Sequence, residues 1–134
     1  MFYIERKAKE YGMRVIVTDH HDIPYDTDEN DIRVYKVPEA DAVIDHKQPG
    51  CEYPCKELCG AGVAYKFIQL LYRMCRIPEA ECEAFIEILG IATVCDVMNL
   101  VDENRIIVRE ALHRLSDSSN YGLKALITNS GRDG

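Results

Sequence analysis

Apolar and polar positions along this chain change period several times, and each change marks an element. From Tyr3 to Tyr11, Ile4, Ala8 and Tyr11 fall on one helical face, while Glu5, Arg6, Lys7, Lys9 and Glu10 lie mostly on the others. Gly12 is placed to stop that helix, because glycine accepts the left-handed conformation common just past a helix end. Met13 to Thr18 abandons the helical period for a β-favouring run, which predicts a buried strand. A helix, a glycine turn and a strand make half of a parallel-sheet unit. The strand that should come before this helix is absent, so the chain reads as starting in the middle of a fold. Asp22 to Glu39 is polar and carries Pro24 and Pro38. It reads as loop, with a short edge strand at Ile32 to Tyr35. Ala42 to Ile44 is a second short strand, followed by a turn-rich loop from Asp45 to Gly50.

The second half keeps to the helical period. Gly60-Ala61-Gly62 opens a helix over Val63 to Cys75, with Val63, Phe67, Leu70, Leu71 and Met74 predicted inward. Pro78 suits a helical first turn, and the next helix is expected over Glu79 to Val94, burying Phe85, Ile88, Leu89 and Ala92. Glu103 to Leu115 follows, started by Asp102 or Glu103, with Ile106, Ile107, Ala111 and Leu115 inward. Tyr121 to Thr128 is a last short helix, and Gly131-Arg132-Asp133-Gly134 reads as the edge of an excised piece. The expectation is one α/β domain over residues 1–134, part of a parallel-sheet domain with a helix-rich C-terminal half.

Composition narrows what such a domain does. With 47% apolar residues in a chain of 134, a packed core is expected and disorder is not. No apolar run approaches the roughly 18 residues of a membrane span, and the N-terminus lacks the apolar stretch of a signal peptide. No membrane partner and a cytoplasmic location are therefore expected. The net charge of −7 is wrong for a free-standing nucleic-acid binder, which carries a basic footprint. It suits a domain that gathers carboxylates around metal ions. The six cysteines read as reduced thiols. Cys51, Cys55 and Cys59 beside His46 lack the spacing of a zinc knuckle, and Pro54 breaks any single helix carrying all three. Asp26 to Asp31 lacks the glycine and distal glutamate of a calcium loop and reads as solvated.

The chemistry concentrates at Val15-Ile16-Val17-Thr18-Asp19-His20-His21. Ligands bind just outside the carboxyl ends of strands in open α/β sheets. An Asp-His-His triplet there can hold a divalent cation or position a phosphate beside one. His46 follows the second strand and is read as a phosphate or solvent contact. Gly60 and Gly62 either let backbone approach an anion or permit close helix packing. Asp96, flanked by Cys95 and Val97, is expected in apolar surroundings, where a carboxylate needs a partner or a cation. Its alternatives are an acid bonded to helix-end amides and a metal ligand. Arg105 either clamps a phosphate or pairs with a buried acid, the pair being favoured.

The run V-I-V-T-D-H-H resembles the signature of the DHH phosphoesterases, and Gly90-Ile91-Ala92-Thr93-Val94-Cys95-Asp96-Val97 resembles their later aspartate motif. Asp41 to Asp45 through Leu58 to Ala64, and Asn99 to Arg105, narrow the likeness to the RecJ-like single-strand-specific exonucleases. It covers about Tyr3 to Leu126. It implies a two-metal site using Mn²⁺ or Mg²⁺, with His20 and Asp96 as metal ligands. Asp19 would orient the cluster, and His21 would act on the scissile phosphate. It also implies a single-stranded DNA substrate cut from its 5′ end in repair and recombination. The family's earlier D-x-D motif and its DHH-associated domain are missing from these residues, so the piece alone is expected to be nearly inactive and to self-associate through apolar surface left bare. The alternatives are a DHH phosphodiesterase acting on short oligonucleotides or cyclic dinucleotides, and a non-catalytic DHH scaffold.

Overall fold

A computed structural model describes residues 2–131, so Met1 and the expected boundary residues Arg132, Asp133 and Gly134 lie outside the described residues. The chain divides into two compact units, Met1–Ala64 and Tyr65–Gly134.

The first unit opens with α1 (Phe2–Glu10). Gly12 adopts φ +73° as the turn requires, and the Met13 N–H donates to the Ala8 carbonyl at 3.0 Å to close the helix end. The expected inner face is not buried, since Ile4 and Tyr11 are largely exposed. β1 (Ile16–Thr18) is shorter than the expected Met13 to Thr18 strand and pairs in parallel with β4 (Ala42–Ile44), setting Ile16 opposite Ala42 and Thr18 opposite Ile44. Bonds at both ends, Asp41 N–H to Val15 O at 2.8 Å and Asp19 N–H to Ile44 O at 3.0 Å, extend the pairing. The strand was expected to be buried, yet Ile16 is 56% exposed. A continuous apolar run signals a strand covered on both faces, and a two-stranded sheet is too narrow to carry such layers.

The edge strand expected at Ile32 to Tyr35 is present one residue shorter, and a second strand in the segment read as loop makes a hairpin with it. β2 (Tyr25–Thr27) pairs antiparallel with β3 (Arg33–Tyr35), with Tyr25 opposite Tyr35 and Thr27 opposite Arg33. The acids between them build the turn: Asp28 Oδ1 accepts the N–H groups of Asn30 and Ile32 at 2.8 Å each. The crossover joining the parallel strands β1 and β4 therefore runs through a hairpin, where such connections usually use a helix. After β4, Cys55, Leu58 and Val63 form a buried cluster packed by Ile44 and Tyr53. Val63 belongs to α2 (Gly60–Cys75), which starts three residues earlier than expected.

In the second unit the predicted inner face of α2 is only partly used. Tyr65 is buried and Phe67 half-buried, whereas Leu70, Leu71 and Met74 are exposed. The single helix expected over Glu79 to Val94 is broken at Ala84 and Phe85 into α3 (Ala80–Glu83) and α4 (Ile86–Cys95). α4 is apolar nearly all round, so its sequence displays no stripe. It buries Leu89, Gly90 and Thr93, while Phe85 and Ile88 are exposed and Ala92 is half-buried. Its contact with α5 (Asp102–Leu115) selects the smallest side chains, for a Cβ at Gly90 would fall 2.2 Å from the Ala111 Cβ. α5 accordingly buries Asn104, Ile107, Val108 and Ala111, with Ile106 outside and Leu115 half-buried. Arg114 ties α5 to α3, donating to Glu110 Oε1 at 2.7 Å and Glu83 Oε2 at 2.9 Å. α6 (Tyr121–Asn129) is capped by Asn120, whose side chain accepts from the Gly122 and Leu123 N–H groups. The class is α/β, a parallel strand pair followed by a helix-rich second half. Among the described residues no helix is long and apolar enough to cross a membrane.

Candidate metal centre

β1 delivers Asp19, His20 and His21 to one point at its carboxyl end. One ligand atom from each lies within 4.8 Å of the others, so the three form a set able to share a cation. Asp19 organises the set. Its Oδ1 accepts the His20 N–H at 2.7 Å and the His21 N–H at 3.3 Å, and lies 2.6 Å from His21 Nδ1. A carboxylate closing onto the next two amides fixes the bend in which the strand ends. Because the carboxylate only accepts, His21 Nδ1 carries the shared proton and Nε2 is the ring's other nitrogen. Burial pushes the Asp19 carboxyl up, but the His21 side chain and the two backbone N–H bonds outweigh it and hold it below the ordinary carboxylate value. The group is therefore an anion at neutral pH, as a cation site needs. The two imidazoles are stacked obliquely, with ring centres 4.3 Å apart.

Gly60 completes the wall on the His20 side. A Cβ there would sit 3.2 Å from His20 Cδ2 and 3.6 Å from Nε2, so only glycine at the start of α2 leaves that ring edge uncrowded. A Cβ at Gly62 would meet Leu58 Cβ at 3.2 Å. At both glycines a Cβ would crowd a neighbouring side chain. Donor set and cradle suit a hard or borderline divalent ion, since a carboxylate and imidazoles are the ligand types that Mn²⁺ accepts and Mg²⁺ partly shares.

The remaining sequence candidates sit as follows. His46 is buried, which rules out the expected solvent contact. Its Nε2 donates to the Lys56 carbonyl at 3.0 Å, and the Lys56 ammonium returns bonds to the His46 and Cys51 carbonyls. Asp45 beside it is also buried, and among the described residues Asp45 Oδ2 and His46 Nδ1 have no hydrogen-bond partner. Asp45 was overlooked in the sequence, although it follows β4 as Asp19 follows β1. Lys56 and Lys47 help line a cleft of about 500 Å³ with Asp22, Gln48, Cys51 and Glu57.

In the second unit Asp96 caps the C-terminus of α4 and is exposed, so its expected apolar surroundings are not found. The helix ends at Cys95, and the flanking Val94, Cys95 and Val97 are themselves exposed. The next residue, Val97, holds φ +56° and is 88% exposed. That is a strained conformation for a β-branched residue. Arg105 is exposed on α5, which does not fit the favoured pairing with a buried acid. All six cysteines are free thiols, three of them buried.

Comparison with known proteins shows the family. A family model described as "DHH family, N-terminal domain" matches residues 4–93. The chain belongs to the DHH family. It is similar to the single-stranded-DNA-specific exonuclease RecJ of Bacillus subtilis, 39% identical over 126 residues that cover 94% of this chain and 14% of the relative. The RecJ of Salmonella typhimurium is 34% identical over 94% of the chain and 22% of its own length, and that of Escherichia coli 31% over the same shares. The chain thus spans about a fifth or less of these relatives. It is RecJ-like in sequence throughout this span.

Proposed function

We propose that this DHH chain supplies part of the catalytic centre of a metal-dependent phosphodiesterase that degrades single-stranded DNA from its 5′ end, in repair and recombination. The observation that carries the reading is the Asp19-His20-His21 cluster at the carboxyl end of β1, with its ligand atoms within 4.8 Å. Mn²⁺ or Mg²⁺ bound there would offer positive charge to the non-bridging phosphate oxygens and lower the pKa of a coordinated water.

The chain's own residues do the positioning. Asp19 fixes the backbone of both histidines. His20, with its ring edge kept clear by Gly60, is the metal ligand. His21 is held by Asp19 at Nδ1, and as an imidazolium, with Nε2 protonated too, it would donate to the phosphate and steady the charge that builds on it. Asp96 is read as a metal-ligating carboxylate from the family resemblance alone. Its exposure at the end of a helix is compatible with that role.

The test is a calorimetric Mn²⁺ titration of wild type and His20→Ala, together with hydrolysis of a 5′-labelled single strand by the full-length gene product. Loss of both binding and hydrolysis in His20→Ala is the expected result. Hydrolysis unchanged by His20→Ala would overturn the assignment and leave the scaffold reading. Faster turnover of dinucleotides than of long strands would move the substrate to the short-oligonucleotide class.

A further inference from the structure

The β2–β3 hairpin carries a feature that the cluster does not use. Tyr25 and Tyr35 face each other across the two strands with ring centres 5.7 Å apart, tilted by 57°. The Arg33 guanidinium lies 4.6 Å over the Tyr25 ring. All three side chains are exposed. Side chains alternate across a strand, so the register sorts this hairpin into two unlike faces. One carries Tyr25, Thr27, Arg33 and Tyr35. The other carries Val34 and Asp26, whose carboxylate pairs with Lys36 at 2.7 Å. The remaining acids, Asp28, Glu29 and Asp31, lie in the turn. In an acidic chain, the aromatic face is thus free of carboxylates within the strands and holds one cation.

We propose that this face is a base-stacking contact for a single-stranded nucleic acid whose phosphate is held at the Asp19-His20-His21 cluster. The proposal rests on the phosphodiesterase reading of that cluster and deepens it. Aromatic rings and stacked guanidinium planes take bases of any sequence, because every base has a π-face. The location fits, since Tyr25 is four residues from His21 and so within about 14 Å along even a fully extended chain. A base a few nucleotides from the held phosphate falls within that reach. The hairpin is joined at its open end, where the Lys36 N–H donates to the Pro24 carbonyl at 2.7 Å, so the rings sit at the end nearer the cluster and the acidic turn at the far end.

The chain has eight tyrosines and no tryptophan, so tyrosine emission reports stacking directly. The experiment titrates the full chain with fluorescein-labelled oligothymidylate in Mg²⁺, reading anisotropy and tyrosine quenching. It is repeated with a strand of the same length made of abasic units. Tyr25→Phe with Tyr35→Phe should bind as wild type does. Tyr25→Leu with Tyr35→Leu should bind roughly tenfold more weakly and lose the added quenching, and the abasic strand should bind wild type as weakly as the normal strand binds the leucine variant. Equal affinity for normal and abasic strands would overturn the proposal whatever the folding of the variants, as would absence of binding. Hydrolysis by the full-length gene product is followed in parallel. Ring-dependent binding without any His20-dependent hydrolysis sinks the phosphodiesterase reading and leaves the stacking face standing. His20-dependent hydrolysis with base-independent binding does the reverse.

Discussion

Gly90→Ala tests the packing of α4 on α5 with a single methyl group. The added Cβ would stand 2.2 Å from the Ala111 Cβ, about 1.2 Å short of the 3.4 Å at which ordinary contact begins. Both atoms are fixed to helical backbone, so no rotamer change relieves the overlap and the helices have to part. Overpacking of this kind costs about 1–3 kcal/mol, and a backbone-rooted clash belongs near the upper end. Alanine regains about 1 kcal/mol in helix propensity over glycine. The expected net loss is about 2 kcal/mol, read in urea unfolding as a midpoint lower by roughly 1 M for a typical slope. Ala111→Gly alone loses about 0.8 kcal/mol of methyl burial and about 1 kcal/mol of propensity. The double variant moves the methyl from one helix to the other across a 2.2 Å gap and should return to within about 1 kcal/mol of wild type. Such a cycle carries a coupling energy of about 3 kcal/mol, at the top of the range for residues in contact. A Gly90→Ala protein as stable as wild type, or a double variant that simply adds two losses, would refute this account of the interface.

Two further outcomes follow from single side chains. Asp41 accepts the Val15 N–H at 2.8 Å and lies 3.2 Å from Arg14. The Val15 bond first, and the Arg14 and Lys9 charges after it, hold its carboxyl below the ordinary value. A lowered folded value means that its contribution is complete above about pH 4, the unfolded value, and is lost as pH falls through the folded one. NMR titration should place the Asp41 carboxyl below the other exposed aspartates, and a midpoint at or above about 4 would contradict the geometry. Val97→Gly relieves a left-handed conformation worth roughly 1–2 kcal/mol in an L-residue, so thermal unfolding should shift upward. A downward shift would show that the valine side chain is needed at that helix end.

Where the sequence could be read and where it could not has a physical pattern. The strand Ala42 to Ile44, the stop at Gly12 and the helices α1, α2, α5 and α6 were legible because apolar period and special backbone positions are local properties. The Asp19-His20-His21 cluster was legible because three ligand-bearing residues directly after a strand end are brought together by the strand itself. Of the hairpin, only the second strand was legible and the first was not. Tyr25-Asp26-Thr27 is too short to show a period of two, and its pairing with Arg33 to Tyr35 is a tertiary fact. The inner face of α4 was hidden for the opposite reason, since a helix apolar on all sides displays no stripe and the fit of Gly90 to Ala111 made the choice. His46 and Asp45 look like turn residues in sequence, and their burial arises from the fold of the loop that follows.

That loop has a property of its own. His46 and Lys56 each give a side-chain bond to the other's backbone carbonyl, so the nine-residue span between them is locked by a mutual clasp and behaves as a small ring. The entropy of closing a ring grows only with the logarithm of its length, about 0.6 kcal/mol for each doubling. The exposed turn at Pro49 and Gly50 can therefore lengthen at slight thermodynamic penalty, while the two clasp residues and the buried Cys55 cannot change. Evolution or an engineer could graft a new peptide between them and still find the strand end and the first turn of α2 held where this chain holds them.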